Sequence, residues 1–350
     1  MKLILIAACA AIICACTNVQ ADTGPDSHAP IGVMGDHYHK QGELMFSYRF
    51  MQMSMQGNRD GVSGISADEI ATSAPNRFAG APMQPPFLRV VPTKMSMDMH
   101  MFGFMYAPSN RITLMGMGSH ITKKMDHTTY MGAAGTDVLR TFSTQTKGFG
   151  DTTIAALIKV DDNLKSRWHL TAGVSLPTGD ITKSGQILTP MNTEPSPRLP
   201  YPMQLGSGTY DLITGLTYND IADRWGWGGQ WRSVFRLGKN DEDYSFGDEH
   251  HLAGWASYRI SSRVSISGRL EYFERKNING IDPVIMAPVQ TADPDRQAVK
   301  RVDMNLGLNF LIPGDHHRLA LELGIPFWQK LAGPQLETDW QLTLGWQYAI

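Results

Sequence analysis

Segment after segment of this chain alternates strictly between apolar and polar residues, and that alternation restricts the possible folds more than any other feature. In the last segment Trp340, Leu342, Leu344, Trp346, Tyr348 and Ile350 share one parity, while Gln341, Thr343, Gly345, Gln347 and Ala349 share the other. Successive side chains of a strand point to opposite faces, so this pattern makes one wholly apolar face and one polar face. It recurs with Val302, Met304, Leu306, Leu308, Phe310 and Ile312, and again with Leu319, Leu321, Leu323, Ile325 and Phe327. Beyond the N-terminus no run approaches the roughly 18 consecutive apolar residues that a membrane helix needs, so any crossing of a bilayer must use strands.

About twelve such segments can be counted, near 43–55, 93–107, 109–123, 150–161, 164–178, 206–219, 225–239, 247–261, 263–275, 298–312, 316–329 and 336–350. The connections after every second segment are short. Most of the others are long, at 56–92, 124–149, 179–205 and 276–297. An even strand number, alternating short and long connections and both ends on the short-turn side predict an all-β fold, an antiparallel transmembrane β-barrel of about 12 strands. A soluble β-sandwich would not confine polar residues to one face of so many long strands, nor send its long loops to one end. A charged fraction of only 18% suits a wall that faces lipid. The expected setting is the outer membrane of a Gram-negative bacterium, with outer-membrane lipid around the barrel.

The first residues read as an export signal. Lys2 precedes an apolar stretch too short to span a bilayer as a helix, and Val19-Gln20-Ala21 offers the small residues of a cleavage site. The expected division is a signal peptide at 1–21, an N-terminal periplasmic segment at 22–42 and a barrel at 43–350. Lipidation at Cys16 is the competing reading of the same stretch. All three cysteines lie within it, so the mature chain has no disulfide, thiol nucleophile or cysteine metal site. A net charge of −2 excludes the strongly basic balance of a nucleic-acid binder, and no nucleic-acid partner is expected.

Three motifs stand out in the middle of the chain: Gly148-Phe149-Gly150-Asp151-Thr152-Thr153, Leu176-Pro177-Thr178-Gly179-Asp180 and Leu205-Gly206-Ser207-Gly208-Thr209-Tyr210-Asp211. With them the chain resembles the phenol meta-degradation pathway family of outer-membrane barrels, whose members are described as transporters. The first third also resembles a Met- and His-rich subset of that family, through Met34-Gly35-Asp36-His37-Tyr38-His39 and Met125-Asp126-His127. That likeness implies a link to metal or copper handling.

Fifteen of the 20 methionines lie between Met34 and Met131. Thioethers favour Cu(I) and imidazoles suit copper and zinc, so Met51, Met53, Met55, Met97, Met99, His100, Met125 and His127 are the candidate metal ligands. Methionine is also a flexible apolar filler, which is the simpler reading of any one of them. The orientation of the second strand stays open, because both of its faces are partly apolar. Arg49, Arg232, Arg236, Arg269 and Glu271 fall on polar faces and are the candidate lumen lining.

No nucleophile elbow, zinc-protease helix or phosphate loop is present. Ser257 and His251 are six residues apart, about 20 Å along a strand, too far for a direct pair. The sequence therefore predicts no enzyme, no cofactor unless copper, and a channel or transporter for a small solute, hydrophobic or a soft metal ion. A plugged barrel that sequesters copper is the alternative, and an outer-membrane lipid hydrolase a weaker one.

Overall fold

A computed structural model describes residue 25 and residues 28–162, 166–314 and 316–350. The expected signal peptide and the alternative lipidation at Cys16 lie outside the described residues. The chain is all-β, with one short α-helix among the described residues, α1 (Ala67–Ser73). In chain order the strands begin with β1 (Leu44–Gly61), β2 (Ser63–Ile65), β3 (Val90–Ser109), β4 (Ile112–Tyr130) and β5 (Val138–Phe149). Next come β6 (Thr152–Asp162), β7 (Ser166–Leu176), β8 (Tyr210–Ala222), β9 (Trp225–Leu237) and β10 (Tyr244–Ser245). The last five are β11 (Glu249–Arg259), β12 (Val264–Arg275), β13 (Asn279–Gly280), β14 (Val299–Leu311) and β15 (His317–Ala349).

Eleven of these elements pair in the order β15-β14-β12-β11-β9-β8-β7-β6-β4-β3-β1, and β15 pairs back to β1 to close the ring. Of the rest, β2 and β5 attach to its rim and β10 pairs with β13. A closed ring of antiparallel neighbours needs an even number of passes. The 33-residue β15 satisfies this by folding back at Gly333 (φ 76°) and Pro334. Arg318–Leu331 pair with β14, and Leu331–Ala349 pair with β1. The wall is thus crossed twelve times, ten by single strands and twice by β15.

The alternation reads out as expected. Phe102 on β3 is 59% exposed, whereas its neighbour Met101 is 9% exposed. Met304, Leu306, Leu308 and Phe310 of β14 lie on the outside, opposite the buried Asp303, Asn305 and Asn309. Near the short-turn end, aromatic rings pair across strands, Trp168 with Tyr218 at 4.7 Å and Trp225 with Tyr258 at 4.8 Å between centroids. Such amphipathic rings suit the membrane–water interface. An apolar belt bordered by aromatics on a closed barrel makes this an outer-membrane protein.

Two differences from the sequence expectation have one cause. The stretch 124–149, expected as a long loop, is mostly the top of β4 paired to β5, for example Thr128 to Thr141 and Met125 to Thr144. β1, β3 and β4 likewise run to 18, 20 and 19 residues, past the roughly 9–11 needed to cross hydrocarbon. Above the bilayer both faces of a strand meet water or loops, so the alternation that reveals a strand disappears. At that end Arg89 is fully buried and donates to the carbonyls of Ala71, Met131, Gly132, Ala134 and Gly135, which ties α1 to the β4–β5 turn.

An arginine on the lipid face tests the assignment of inside and outside. Leu306→Arg at mid-height should cost about 2–4 kcal/mol, and Tyr210→Arg at the rim about 0–1 kcal/mol, in denaturant unfolding from lipid vesicles.

Candidate functional site

The segment expected in the periplasm ahead of β1 lies, over its described residues, inside the barrel. Apart from Gly42 N, which donates to Ala107 O on β3 at 2.9 Å, inward side chains of the wall serve its backbone groups. Ser265 Oγ donates to Pro25 O at 2.7 Å, Arg318 to Ala29 O at 2.6 Å, and Gln230 Nε2 to Met34 O at 2.9 Å. His169 Nε2 donates to Gly35 O at 2.8 Å, and His39 N donates to Thr113 Oγ1 at 2.9 Å. The segment arches up from the short-turn end to Gly32 and returns to β1, plugging the lower half. A Cβ on Gly32 would stand 2.2 Å from Glu322 Oε1 and 2.4 Å from Arg269 Nη2, so any larger residue would have to displace the ion pair on which the arch rests. Burial pushes the imidazoles of His28 and His39 below their ordinary range, which keeps both neutral.

Above the plug is a cavity of about 580 Å³, floored by Gly32, Val33 and Met34. Such a volume suits a small molecule. One wall is thioether. The register sets Met51 opposite Met99, Met53 opposite Met97 and Met55 opposite Met95, and Met95 opposite Met125 on the next strand. All seven line the cavity, so the methionine face of β3 points inward.

The facing wall is charged. Arg236 pairs with Asp211 and, at 3.0 Å, with Glu249. Arg269 holds Glu322 at 2.5 Å and also meets Glu271, which His251 Nδ1 approaches at 2.8 Å. Arg301 pairs with Asp303 at 2.8 Å. Two guanidiniums on the strands flanking β11 make no direct ion pair, although Glu249 lies near both. Arg275 meets only Gln297 O at 3.3 Å, and Arg232 has no hydrogen-bond or ion-pair partner among the described residues.

The roof comes from the long loops, and the three sequence motifs meet beneath it. Asp151 Oδ1 accepts from Gly179 N at 2.9 Å, and Oδ2 accepts from Ser207 N at 2.7 Å and Ser207 Oγ at 2.8 Å. Thr178 Oγ1 donates to Gly150 O at 2.9 Å, and Thr209 Oγ1 donates to Asp211 at 2.6 Å. Gly179 and Gly206 pack backbone to backbone. This knot turns the 177–209 loop inward. Tyr201 to Ser207 then cover the cavity, where Lys123 Nζ donates to Pro202 O at 2.9 Å and to Gln204 O at 2.5 Å.

Of the expected lumen residues, Arg232, Arg236, Arg269 and Glu271 line the cavity, and Arg49 lies lower, its guanidinium against the Met34 sulfur of the plug. Of the expected metal ligands, Met51, Met53, Met55, Met97, Met99 and Met125 line it as well. His127 shares their side of the wall but stacks on Phe142, 4.6 Å between centroids. His100 is on the other side, 2.8 Å from Tyr48 Oη, and so cannot join Met97 and Met99 on one ion. Ser257 donates to Gly226 O and does not meet His251. Sequence reasoning missed Arg275 and Arg301, although Arg275 shares the parity of Arg269 and Glu271. It also missed the roof and plug residues, which carry no periodic signal.

Removing one partner of the buried Arg269–Glu322 pair leaves a charge 2% exposed without compensation. Arg269→Met should cost about 3–5 kcal/mol in denaturant unfolding, and adding Glu322→Met should recover most of the loss.

No curated relative matches the chain in sequence. Among solved structures it is similar to an outer membrane channel from Pseudomonas putida F1, with a TM-score of 0.58 and 12% identity over 90% of this chain and 98% of that one. It is also similar to the toluene transporter TbuX of Ralstonia pickettii, with a TM-score of 0.46 and 10% identity over 89% of this chain and 90% of that one. The first likeness is one of fold, a closed outer-membrane barrel. Residues 93–316, more than half of the chain, match the family described as "Putative MetA-pathway of phenol degradation", and the chain belongs to that family.

Proposed function

We propose that this protein is an outer-membrane channel for a small amphipathic solute, and that the cavity above the plug is its binding station. The observation that carries this reading is the pairing of a methionine wall with a guanidinium wall across one cavity of about 580 Å³. The thioether side offers a flexible apolar surface that adapts to differently shaped apolar bodies. Arg232 and Arg275 face it without a direct ion pair, and charge-assisted hydrogen bonds from them suit an anionic head group. A solute with an aromatic or aliphatic body and one carboxylate satisfies both walls. The similarity in fold to outer-membrane channels is consistent with passage rather than chemistry.

Liposomes containing the purified protein should take up benzoate faster than benzylammonium, which has the same ring and the opposite charge. Arg232→Ala or Arg275→Ala alone should each lower benzoate uptake on the order of tenfold or more, since a charge-assisted hydrogen bond is worth about 1.5–3 kcal/mol. Equal uptake of the two probes, or no uptake of either, overturns the proposal.

The methionine ladder favours a second reading, a Cu(I) site in the same cavity, because thioethers at directly opposed register positions can share one soft ion. Leucine keeps the apolar surface and removes the sulfur. Met53→Leu with Met97→Leu should leave benzoate uptake within about twofold. If Cu(I) binds here, the same double variant should abolish stoichiometric binding in a chelator-competition titration, whereas unchanged binding excludes this site.

A further inference from the structure

A second constellation of donors lies inside the plug, away from the methionine cavity. His28, Asp36 and His37 each present one ligand atom, and the three atoms lie within 4.8 Å of one another. Asp36 is 3% exposed. Its Oδ2 accepts from Ala29 N at 3.0 Å, and its Oδ1 is left facing the histidines, 2.9 Å from His37 Nδ1. The rings of His28 and His37 meet edge to face at 4.6 Å, and those of His37 and His39 at 4.8 Å.

These imidazoles are short of partners. His28 Nδ1, His37 Nε2 and His39 Nε2 are buried and make no hydrogen bond, and His37 Nδ1 meets only Asp36 Oδ1. A buried polar atom left unsatisfied costs about 1–3 kcal/mol, so three on three touching rings is an arrangement that suits an occupant. The nearby cations do not supply one. Arg318 is committed to Ala29 O, Asn309 Oδ1 and Gln347 Oε1, and Arg49 is directed at the Met34 sulfur.

We propose that His28, Asp36 and His37 bind one divalent transition-metal ion of the zinc class inside the barrel. Two imidazoles and a carboxylate are the donor set that such ions select over calcium or magnesium. Donors around a tetrahedral zinc stand about 3.3 Å apart at normal bond lengths, so the present cluster needs to close by at most about 1.5 Å. An ion here cross-links residue 28 to residues 36 and 37 and fixes the arch from within. The site uses no methionine and differs in hardness from the thioether wall, so the two can be told apart.

The test uses the full-length folded protein in detergent, stripped with EDTA and reloaded. Elemental analysis should find one zinc per chain, and replacement by cobalt(II) should give the visible bands of a low-symmetry nitrogen–oxygen site. Asp36→Asn should weaken zinc binding tenfold or more, and His28→Ala with His37→Ala should abolish it. Met97→Leu should leave it unchanged. Heat-modifiable gel mobility reports whether each variant folds, and the cobalt spectrum of the unaltered protein needs no variant. Absence of stoichiometric zinc and of cobalt bands in that protein overturns the proposal, as does undiminished binding in the folded double variant. Because metal content is read without transport, failure here leaves the channel reading standing, and the reverse also holds.

Discussion

Hydrocarbon offers no hydrogen bonds, so every backbone amide and carbonyl at membrane depth must find its partner in the protein. In this chain that demand is met by closing the sheet on itself, with Leu44 and Ile350 exchanging backbone bonds at 3.0 and 2.7 Å and the register continuing up the seam. The rest follows from that closure. Lipid claims one parity of every strand, and polar side chains are confined to the other. Charges such as Arg269 and Glu322 therefore crowd an interior where each needs a counter-charge.

That interior is filled from both ends. From below, the chain ahead of β1 enters and takes up the inward amides, hydroxyls and imidazoles that would otherwise be left without partners. From above, Asp151 binds amides of Gly179 and Ser207 and so bends a long loop inward. The cavity is what remains between plug and roof. Its two dissimilar walls have different origins: β1, β3 and β4 bring methionines, and β9, β11, β12 and β14 bring charges.

How much of this was legible depended on whether lipid shaped the residues. Where it did, the sequence positions and the strands agree closely, as for 225–239 against Trp225–Leu237 and 263–275 against Val264–Arg275. The fold-back of β15 was visible as two segments separated by Gly333 and Pro334. β5 was invisible because Thr141, Ser143 and Thr144 carry no apolar parity above the bilayer. The inward turn of the Met95–Met101 face could not be read from β3 alone, since the aromatics Phe102 and Phe104 compete with it. The plug was misplaced for a similar reason. Residues 28–42 have neither period two nor period 3.6, and only the unpaired inward groups of a finished barrel show where they belong.

The position of the plug in the chain governs how the barrel can be assembled. It is joined directly to β1, and β1 is one half of the seam. Once β1 has zipped to the second arm of β15, the arch has no lateral way in or out. With the wall sealed, the arch can enter or leave only through the short-turn end, where both of its limbs stand.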